Sequence, residues 1–322
     1  MNKKFIITGA AGLMGVYLSY LLVREGHDVY GIDIKQVGNN GLIPNVNYNP
    51  IIQCNLRDTE RLSSILNEVK PDCVYHLAAC IRHVDSENEY FESNVLGTMS
   101  LFKAIKNAKI QPHMLVVGSS SEYGNVGNRV IDELCDLNPV TVHGVSKVSQ
   151  FHLCRVFSNT QNLPFKYLRV FNHTAPSQSP SMVCSRYARE VALIENRQKG
   201  PMITVRKTNN IRDFVDTRDV VSALYWADLS NIDGEVYNIC SGKGLSILEI
   251  VNCLVSLSKV PIEIVCEEDK CSDSQDILSQ IGSFAKAKRD FNWQPKIPLN
   301  ETLRDILNYW RRKLKLNQKK PS

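Results

Sequence analysis

The chain has 322 residues, 43% of them hydrophobic and 22% charged, with a formal net charge of +5. That balance supports a large buried core in one large or two intimate domains and excludes the disordered class. The opening Met1-Asn2-Lys3-Lys4 passes at once into an apolar strand pattern without a signal-peptide core, and no apolar run approaches the roughly 20 residues of a membrane span, so a cytoplasmic location and no membrane partner are expected. Ten cysteines are scattered, with Cys54, Cys73, Cys154, Cys240 and Cys253 inside apolar runs; they read as buried thiols of a reducing compartment rather than disulfides or metal ligands. The basic stretch from Arg311 to Lys315 lacks interleaved aromatics and reads as a solvated end, so no nucleic acid partner is expected.

The first pattern is a short apolar strand, Phe5-Ile6-Ile7-Thr8, that stops at Gly9 and restarts with helical periodicity after Gly15. Three glycines in a strand-to-helix turn fit a phosphate: Gly9 for the bend, Gly12 for close approach of a pyrophosphate, Gly15 for helix–strand packing, and the helix amino terminus for free N–H groups. A second strand, Asp28 to Asp33, ends on a carboxylate placed to accept from the adenosine ribose hydroxyls and to repel a 2′-phosphate. NAD(H) is therefore favoured over NADP(H), with Lys35 weakening the preference and leaving NADP(H) open.

A polar loop, Gly38 to Asn49, leads to a third strand, Pro50 to Cys54, and a helix beginning near Asp58. The fourth strand, Cys73 to Leu77, ends in Ala78-Ala79, small residues that allow backbone to lie against a cofactor; His76 within it reads as a satisfied core histidine. A helix containing Glu92 to Phe102 follows, with Asn94 buried and tying neighbouring strands together. The fifth strand, Met114 to Gly118, delivers Ser119, Ser120 and Ser121 to the carboxyl edge of the sheet, where ligands of open α/β sheets bind; simple turn capping by these serines is the alternative. A helix then opens near His143 and Lys147, four apart and on one face. Strand Phe165 to Val170 precedes a Pro- and Ser-rich departure at Pro176 and Pro180, a segment Ile203 to Val205, the mixed run Asn210 to Val220, strand Val236 to Cys240, and helices near Leu245 to Ser258 and Asn300 to Leu314. Alternating strands and helices predict an α/β, doubly wound parallel sheet of Rossmann type with a smaller carboxyl-terminal α/β substrate-binding lobe. The expected division is 1–172 with 213–240 for the dinucleotide, and 173–212 with 241–322 for the substrate.

Taken jointly, Thr8-Gly-x-x-Gly12-x-x-Gly15, His76-Leu-Ala-Ala79, Asn94-Val-x-Gly97-Thr98, Ser119-Ser-Ser-Glu-Tyr-Gly124, Gly144-x-Ser-Lys147 and Arg212-Asp-Phe-x-Asp216 resemble the extended short-chain dehydrogenase/reductases that act on nucleotide-linked sugars, over essentially the whole chain. Within that family, Arg169 to Thr174, Arg212 to Asp216 and Glu235 to Gly242 look most like the GDP-4-keto-6-deoxy-D-mannose reductases. The resemblance implies reduction of a 4-keto-6-deoxy nucleotide sugar, GDP- or dTDP-linked, in deoxysugar supply for surface polysaccharide. It implies a catalytic set of Ser119, Lys147 and the residue at 143. Cofactor contacts would come from Gly9, Gly12, Leu13, Met14, Gly15, Asp33, Ile34, Asn55, Leu56, Leu77, Ala78, Ala79, Asn94 and Lys147, and substrate contacts from Ser120, Asn172 and Arg212. It also implies a homodimer through the helices Glu92 to Ala108 and Gly144 to Gln161.

Four departures stand out. The family's catalytic tyrosine is His143 here, its Gly-Pro-Gly-Gln is Ala175-Pro176-Ser177-Gln178, its acidic residue after the third strand is Asn55, and a phosphate-contacting arginine is Cys271. Imidazole can donate a proton and ordinarily titrates near neutrality, but its tip stands roughly 2 Å nearer the backbone than a phenol oxygen, so water or a shifted substrate must bridge, and Lys147 and an oxidised nicotinamide would disfavour imidazolium. Three readings stay open: a reductase with His143 as acid, a related epimerase or dehydratase using another acid or base, and a silent binding protein; if His143 has no role, Glu122 and Tyr123 are the nearest titratable groups on the serine loop. Arg212 similarly has two readings, a diphosphate contact or a structural ion pair with Asp216 or Asp219.

Overall fold

The structure is a computed structural model and describes residues 2–35, 51–81, 86–206, 208–267 and 277–318. The expected loop Gly38 to Asn49, Pro50 and the position of Cys271 lie outside the described residues. In chain order the first half comprises β1 Lys4–Thr8, α1 Leu13–Arg24, β2 Asp28–Asp33, β3 Ile52–Gln53, α2 Thr59–Val69, β4 Cys73–His76, α3 Asn88–Phe91, a π-helical turn Glu92–Gly97, α4 Thr98–Ala108, β5 His113–Ser119, α5 Val142–Gln161 and β6 Phe165–Val170. The second half comprises β7 Asn172–Thr174, α6 Val183–Glu195, β8 Met202–Val205, β9 Ile211–Asp216, α7 Thr217–Leu229, β10 Val236–Ile239, β11 Gly244–Ser246, α8 Ile247–Ser256, β12 Glu263–Cys266, β13 Ser279–Gln280, α9 Ala285–Phe291 and α10 Leu299–Gln318.

Seven parallel strands form the main sheet in the order β3-β2-β1-β4-β5-β6-β10. The chain builds outward from β1 to β3, then returns to the other side of β1, so a crevice opens at the carboxyl ends of β1 and β4 where the winding reverses. Both faces are covered, as the near-continuous apolar strands require. Phe5 and Ile7 point into a cluster with Leu18 and Leu22 of α1 and Val220 and Leu224 of α7; Ile6 between them points into the opposite cluster with Leu62 and Leu66 of α2, Leu101 and Phe102 of α4 and Phe151 of α5. The alternation follows from the two-residue period of a strand, and each buried aliphatic or aromatic side chain contributes about 1.5–3 kcal/mol. Side-chain caps fix where helices begin: Asp58 accepts from Arg61 N at 2.9 Å, Thr141 from Gly144 N at 3.0 Å, and Asp216 from Arg218 N at 2.7 Å.

A third apolar cluster joins α6, α8 and α10, with Tyr187, Val191, Ile250, Leu254, Ile306 and Trp310 at its centre. β8 pairs with β12, and β9 pairs with β7, β11 and β13 rather than with the seven-stranded sheet. Ala287, Phe291 and Trp293 nevertheless pack into the cluster beneath the main sheet. The expected third strand is shorter than its apolar pattern, spanning Ile52–Gln53. The expected continuous helix around Glu92 contains the π turn; that wider turn carries Glu92, Ser93 and Gly97 to the crevice wall. Among the described residues, no helix is long and apolar enough to cross a membrane.

Candidate active site

The crevice has a volume of about 830 Å³ and runs from the glycine turn to the serine loop. At one end, Gly9 adopts φ +72°, and a Cβ on it would lie 2.7 Å from Ala78 N; a Cβ on Gly15 would lie 2.4 Å from Gly9 O. Glycine is thus dictated at both places by backbone against backbone. The amino terminus of α1 has no side-chain cap and no acidic residue in its first turn, so its N–H groups remain for an anion. Asp33 stands beside it, its carboxylate accepting from Ala11 N and Lys35 N, both at 3.0 Å. Leu13, Met14, Ile34, Asn55, Leu56, Leu77, Ala78 and Ala79 complete this wall. An uncapped helix end, a bare glycine turn and a carboxylate one strand away fit a dinucleotide.

Asn94 is fully buried and does not line the crevice. Its amide accepts from Cys80 N at 2.8 Å and donates to Cys80 O at 3.1 Å and Ser146 Oγ at 2.9 Å, so it ties the loop after β4 to α5 rather than strand to strand. His76 is a satisfied core residue: its Nδ1 lies 2.8 Å from Thr8 Oγ1 and its Nε2 2.8 Å from Thr98 Oγ1, and burial, then Lys147, pushes its pKa down to about 3.

At the other end β5 runs into a short turn that Ser119 caps, and Glu122 Oε1 accepts the Ser119 N–H at 2.7 Å. Beneath the turn Glu122 is sealed by Arg169, whose Nε donates to Oε2 at 2.8 Å and whose guanidinium lies 4.9 Å from the ring centroids of both Tyr123 and Phe151. Tyr123 donates to Asn238 Oδ1 at 2.7 Å. Neither Glu122 nor Tyr123 lines the crevice; both are held in this buried network instead.

Ser119, His143 and Lys147 do share the crevice wall. Ser121 connects the first two: its hydroxyl donates to Ser119 Oγ at 2.8 Å and lies 3.2 Å from His143 Nδ1. His143 Nε2 is buried with no partner among the described residues, and the Tyr90 ring lies 5.8 Å away, centroid to centroid. Burial, reinforced by Lys147, lowers His143 from its ordinary near-neutral range to about 4; Lys147 acts in the direction expected, burial is the larger cause, and together they favour the neutral ring. Lys147 donates to Val117 O at 2.7 Å and Gln150 Oε1 at 2.6 Å, leaving one N–H for the crevice; burial, opposed by Glu122, lowers it to about 8.

Asn172 lines the crevice while donating to Asp213 O at 3.2 Å, and Ser120, also on the wall, exchanges hydrogen bonds with Gln280. Arg212 is not among the lining residues. It lies on β9 beside Gln280 of β13, which does reach the crevice. Nor is it the partner of the two expected acids: Asp216 holds Arg218 and Thr302, and Asp219 accepts from Lys296 N and Ile297 N. The Arg-Asp-Phe motif acts structurally through Asp213, which accepts from Ser241 N, Ser241 Oγ, Gly242 N and Gly282 N. Sequence reasoning did not single out His173 and Gln280. His173 adjoins Asn172 in the matched stretch and could have been found there; Gln280 carries no motif.

This fold and this wall of glycine turn, serine, and lysine one helical turn beyond position 143 define an extended short-chain dehydrogenase/reductase. The chain belongs to the family described as GDP-mannose 4,6 dehydratase, whose model matches residues 6–306. It is 28% identical over 317 residues to the GDP-6-deoxy-D-mannose reductase of Pseudomonas aeruginosa, covering 96% of this chain and 98% of that protein. It is 25% identical over 323 residues to the UDP-glucose 4-epimerase of Lactobacillus helveticus, covering 94% of each. Among solved structures, RMD from Pseudomonas aeruginosa complexed with NADPH matches with a TM-score of 0.83 at 26% identity, covering 97% of this chain and all of that one. The UDP-glucuronic acid 4-epimerase of Bacillus cereus in complex with NAD matches at 0.81 and 26% identity, covering 96% and 99%.

Proposed function

We propose that the protein reduces the 4-keto group of a 4-keto-6-deoxy nucleotide sugar, with guanine the favoured base, using NAD(P)H. The observation that carries this reading is the joining of Ser119 to His143 on the same wall as Lys147 and the glycine turn. When bound, the nicotinamide supplies hydride to the ketone carbon. Ser119 orients the carbonyl oxygen, Lys147 holds the nicotinamide ribose and supplies a positive field, and the hydroxyl–imidazole pair provides the proton for the developing alkoxide. Gly9, Gly12 and Gly15 cradle the pyrophosphate, and Asp33 receives the adenosine ribose, which favours NAD(H). Asn172 and Ser120 face the sugar.

A 4,6-dehydratase needs a base for the carbon next to the ketone. Glu122, the carboxylate nearest Ser119 in the chain, is bonded to Arg169 instead, which disfavours that alternative. We further propose a cytoplasmic homodimer formed through α4 and α5, a role in deoxysugar supply for surface polysaccharide, and a division into residues 1–172 with 213–240 and 173–212 with 241–322, α9 of the second part packing onto the first. Incubating the purified protein and reduced nicotinamide cofactors with 4-keto and 4-hydroxy sugar nucleotides tests the activity. Oxidation of the cofactor with formation of a 6-deoxyhexose nucleotide from the 4-keto substrates is expected. Interconversion of 4-hydroxy epimers, or retention of ligands without turnover, would overturn it.

A further inference from the structure

We propose that Ser119, Ser121 and His143 form a proton relay in which a neutral imidazole takes up a proton at Nε2 and releases one from Nδ1, making Ser121 a positioning residue for the reaction. This rests on the reductase reading above and specifies how its proton is delivered. The direction follows from counting donors. Ser121 has one hydroxyl proton, and it is directed at Ser119 Oγ, 2.8 Å away. Toward His143 Nδ1, 3.2 Å away, Ser121 therefore presents a lone pair, and the hydrogen-bond network assigns the ring proton to Nδ1. Nε2 is then the bare nitrogen. It is also the atom that no described residue pairs, on a ring that lines the crevice.

The step balances. The ketone gains two electrons as hydride from the reduced nicotinamide. The Ser119 O–H bond breaks and its proton goes to the ketone oxygen; the Ser121 proton moves to Ser119 Oγ, the His143 Nδ1 proton moves to Ser121 Oγ, and the buried Nε2 takes one proton from a water that reaches it through the crevice the ring lines. One proton enters for each proton delivered, the imidazole is neutral before and after, and exchange with water restores Nδ1–H. No imidazolium is needed, which agrees with a ring held down to about 4 by burial and by Lys147. Among the described residues, the titratable groups on the elements packed against the start of α5 include Glu89, Tyr90 and Glu92 on one side, Glu122 bonded to Arg169 on the other, and Lys147 on the helix itself. The expected pH profile is a plateau from above about 4 to below about 8, bounded by His143 and Lys147. An imidazolium acid would instead give turnover that falls throughout that interval as pH rises.

The test combines a structural and a kinetic measurement. In protein with ¹⁵N-labelled histidine, the His143 signal, one of seven histidines and recognised by its loss in His143→Phe, is read at neutral pH for its tautomer. The Nδ1–H form is expected, shifting toward Nε2–H in Ser121→Ala. In turnover, Ser121→Ala should lower kcat by about 10²-fold with KM and cofactor affinity retained, and Ser121→Thr should recover most of the loss. An Nε2–H ring in an active reductase, or unchanged kcat in Ser121→Ala, overturns the relay alone. An Nδ1–H ring in a protein that reduces no 4-keto sugar nucleotide overturns the reductase reading and the relay with it.

Discussion

Two polar clusters share the turn from Ser119 to Glu122. Below it, Glu122, Arg169, Tyr167 and Tyr123 are buried together and their polar groups meet: Glu122 takes Arg169 Nε, the Tyr167 hydroxyl and the Ser119 N–H, while Tyr123 takes an Arg169 N–H and donates to Asn238. Beside it, His143 reaches the same loop through Ser121 but leaves Nε2 open, next to a lysine whose ordinary pKa is lowered. A closed network rigidifies, because each lost partner strands a buried charge. An open one keeps a group in reserve for a ligand. On the proposed function, the closed cluster holds the serine loop still while the open one acts on what enters the crevice.

The most disruptive way to break this contrast is Arg169→Ala. It leaves Glu122 buried without its cation and removes packing against Tyr123 and Phe151, so a loss of about 3–5 kcal/mol of stability is expected in urea unfolding. A loss below about 1 kcal/mol would mean that the lower cluster is not the support described here.

Acid titration sharpens the contrast between histidines. His76 uses both ring nitrogens and is held to about 3, against an ordinary 6.5 in the unfolded chain. Between those values the unfolded chain binds the proton and the folded one does not. Stability therefore falls as pH drops from 6.5 toward 3, by up to about 1.4 kcal/mol per pH unit from this group. Urea midpoints measured from pH 7 downward should show the decline, and His76→Gln should reduce its slope; equal slopes in both proteins would refute a neutral buried ring.

At the far end of the crevice, Asp33→Ala should narrow the proposed preference for NAD(H) over NADP(H) by roughly tenfold, since the carboxylate proposed to accept ribose hydroxyls and repel a phosphate is gone. Fluorescence titration with both cofactors checks it; an unaltered ratio removes Asp33 from the assignment. The smallest effect concerns Ser177, which holds φ +72° where the resembled family has glycine. Ser177→Gly should raise stability by about 0.5–1 kcal/mol, the left-handed strain relieved less the entropy that glycine adds to the unfolded chain. A lower thermal midpoint would show that the serine side chain compensates for its backbone.

Much of the fold was legible because it rests on local chemistry. Gly9, Gly12 and Gly15 announce a strand turning into a helix, and strict burial on both faces makes the parallel strands read as continuous apolar runs. The crevice wall beside the glycine turn was legible for the same reason, since it is built from residues adjoining those strand ends. What stayed hidden depends on separations that no local pattern encodes. Ser121 meets His143 because the start of α5 docks on a turn 22 residues earlier, and Gln280 meets Ser120 across 160 residues. For Arg212 the motif left a diphosphate contact and an ion pair with Asp216 or Asp219 both open, and only the distant partners of those acids, Arg218, Thr302 and the backbone of residues 296 and 297, show that they are claimed elsewhere. The larger cause of the lowered pKa of His143, its burial, was equally invisible, whereas the push from Lys147 one helical turn away was legible.

The central claim, that the open cluster carries the chemistry, is tested most directly by comparing His143→Phe with the unmodified protein in single-turnover oxidation of reduced nicotinamide by a GDP-linked 4-keto-6-deoxyhexose. A fall of 10²–10⁴-fold in the rate, with cofactor affinity and thermal midpoint retained, is the expected result. An unchanged rate in His143→Phe would contradict the claim and leave the imidazole a bystander at the head of α5.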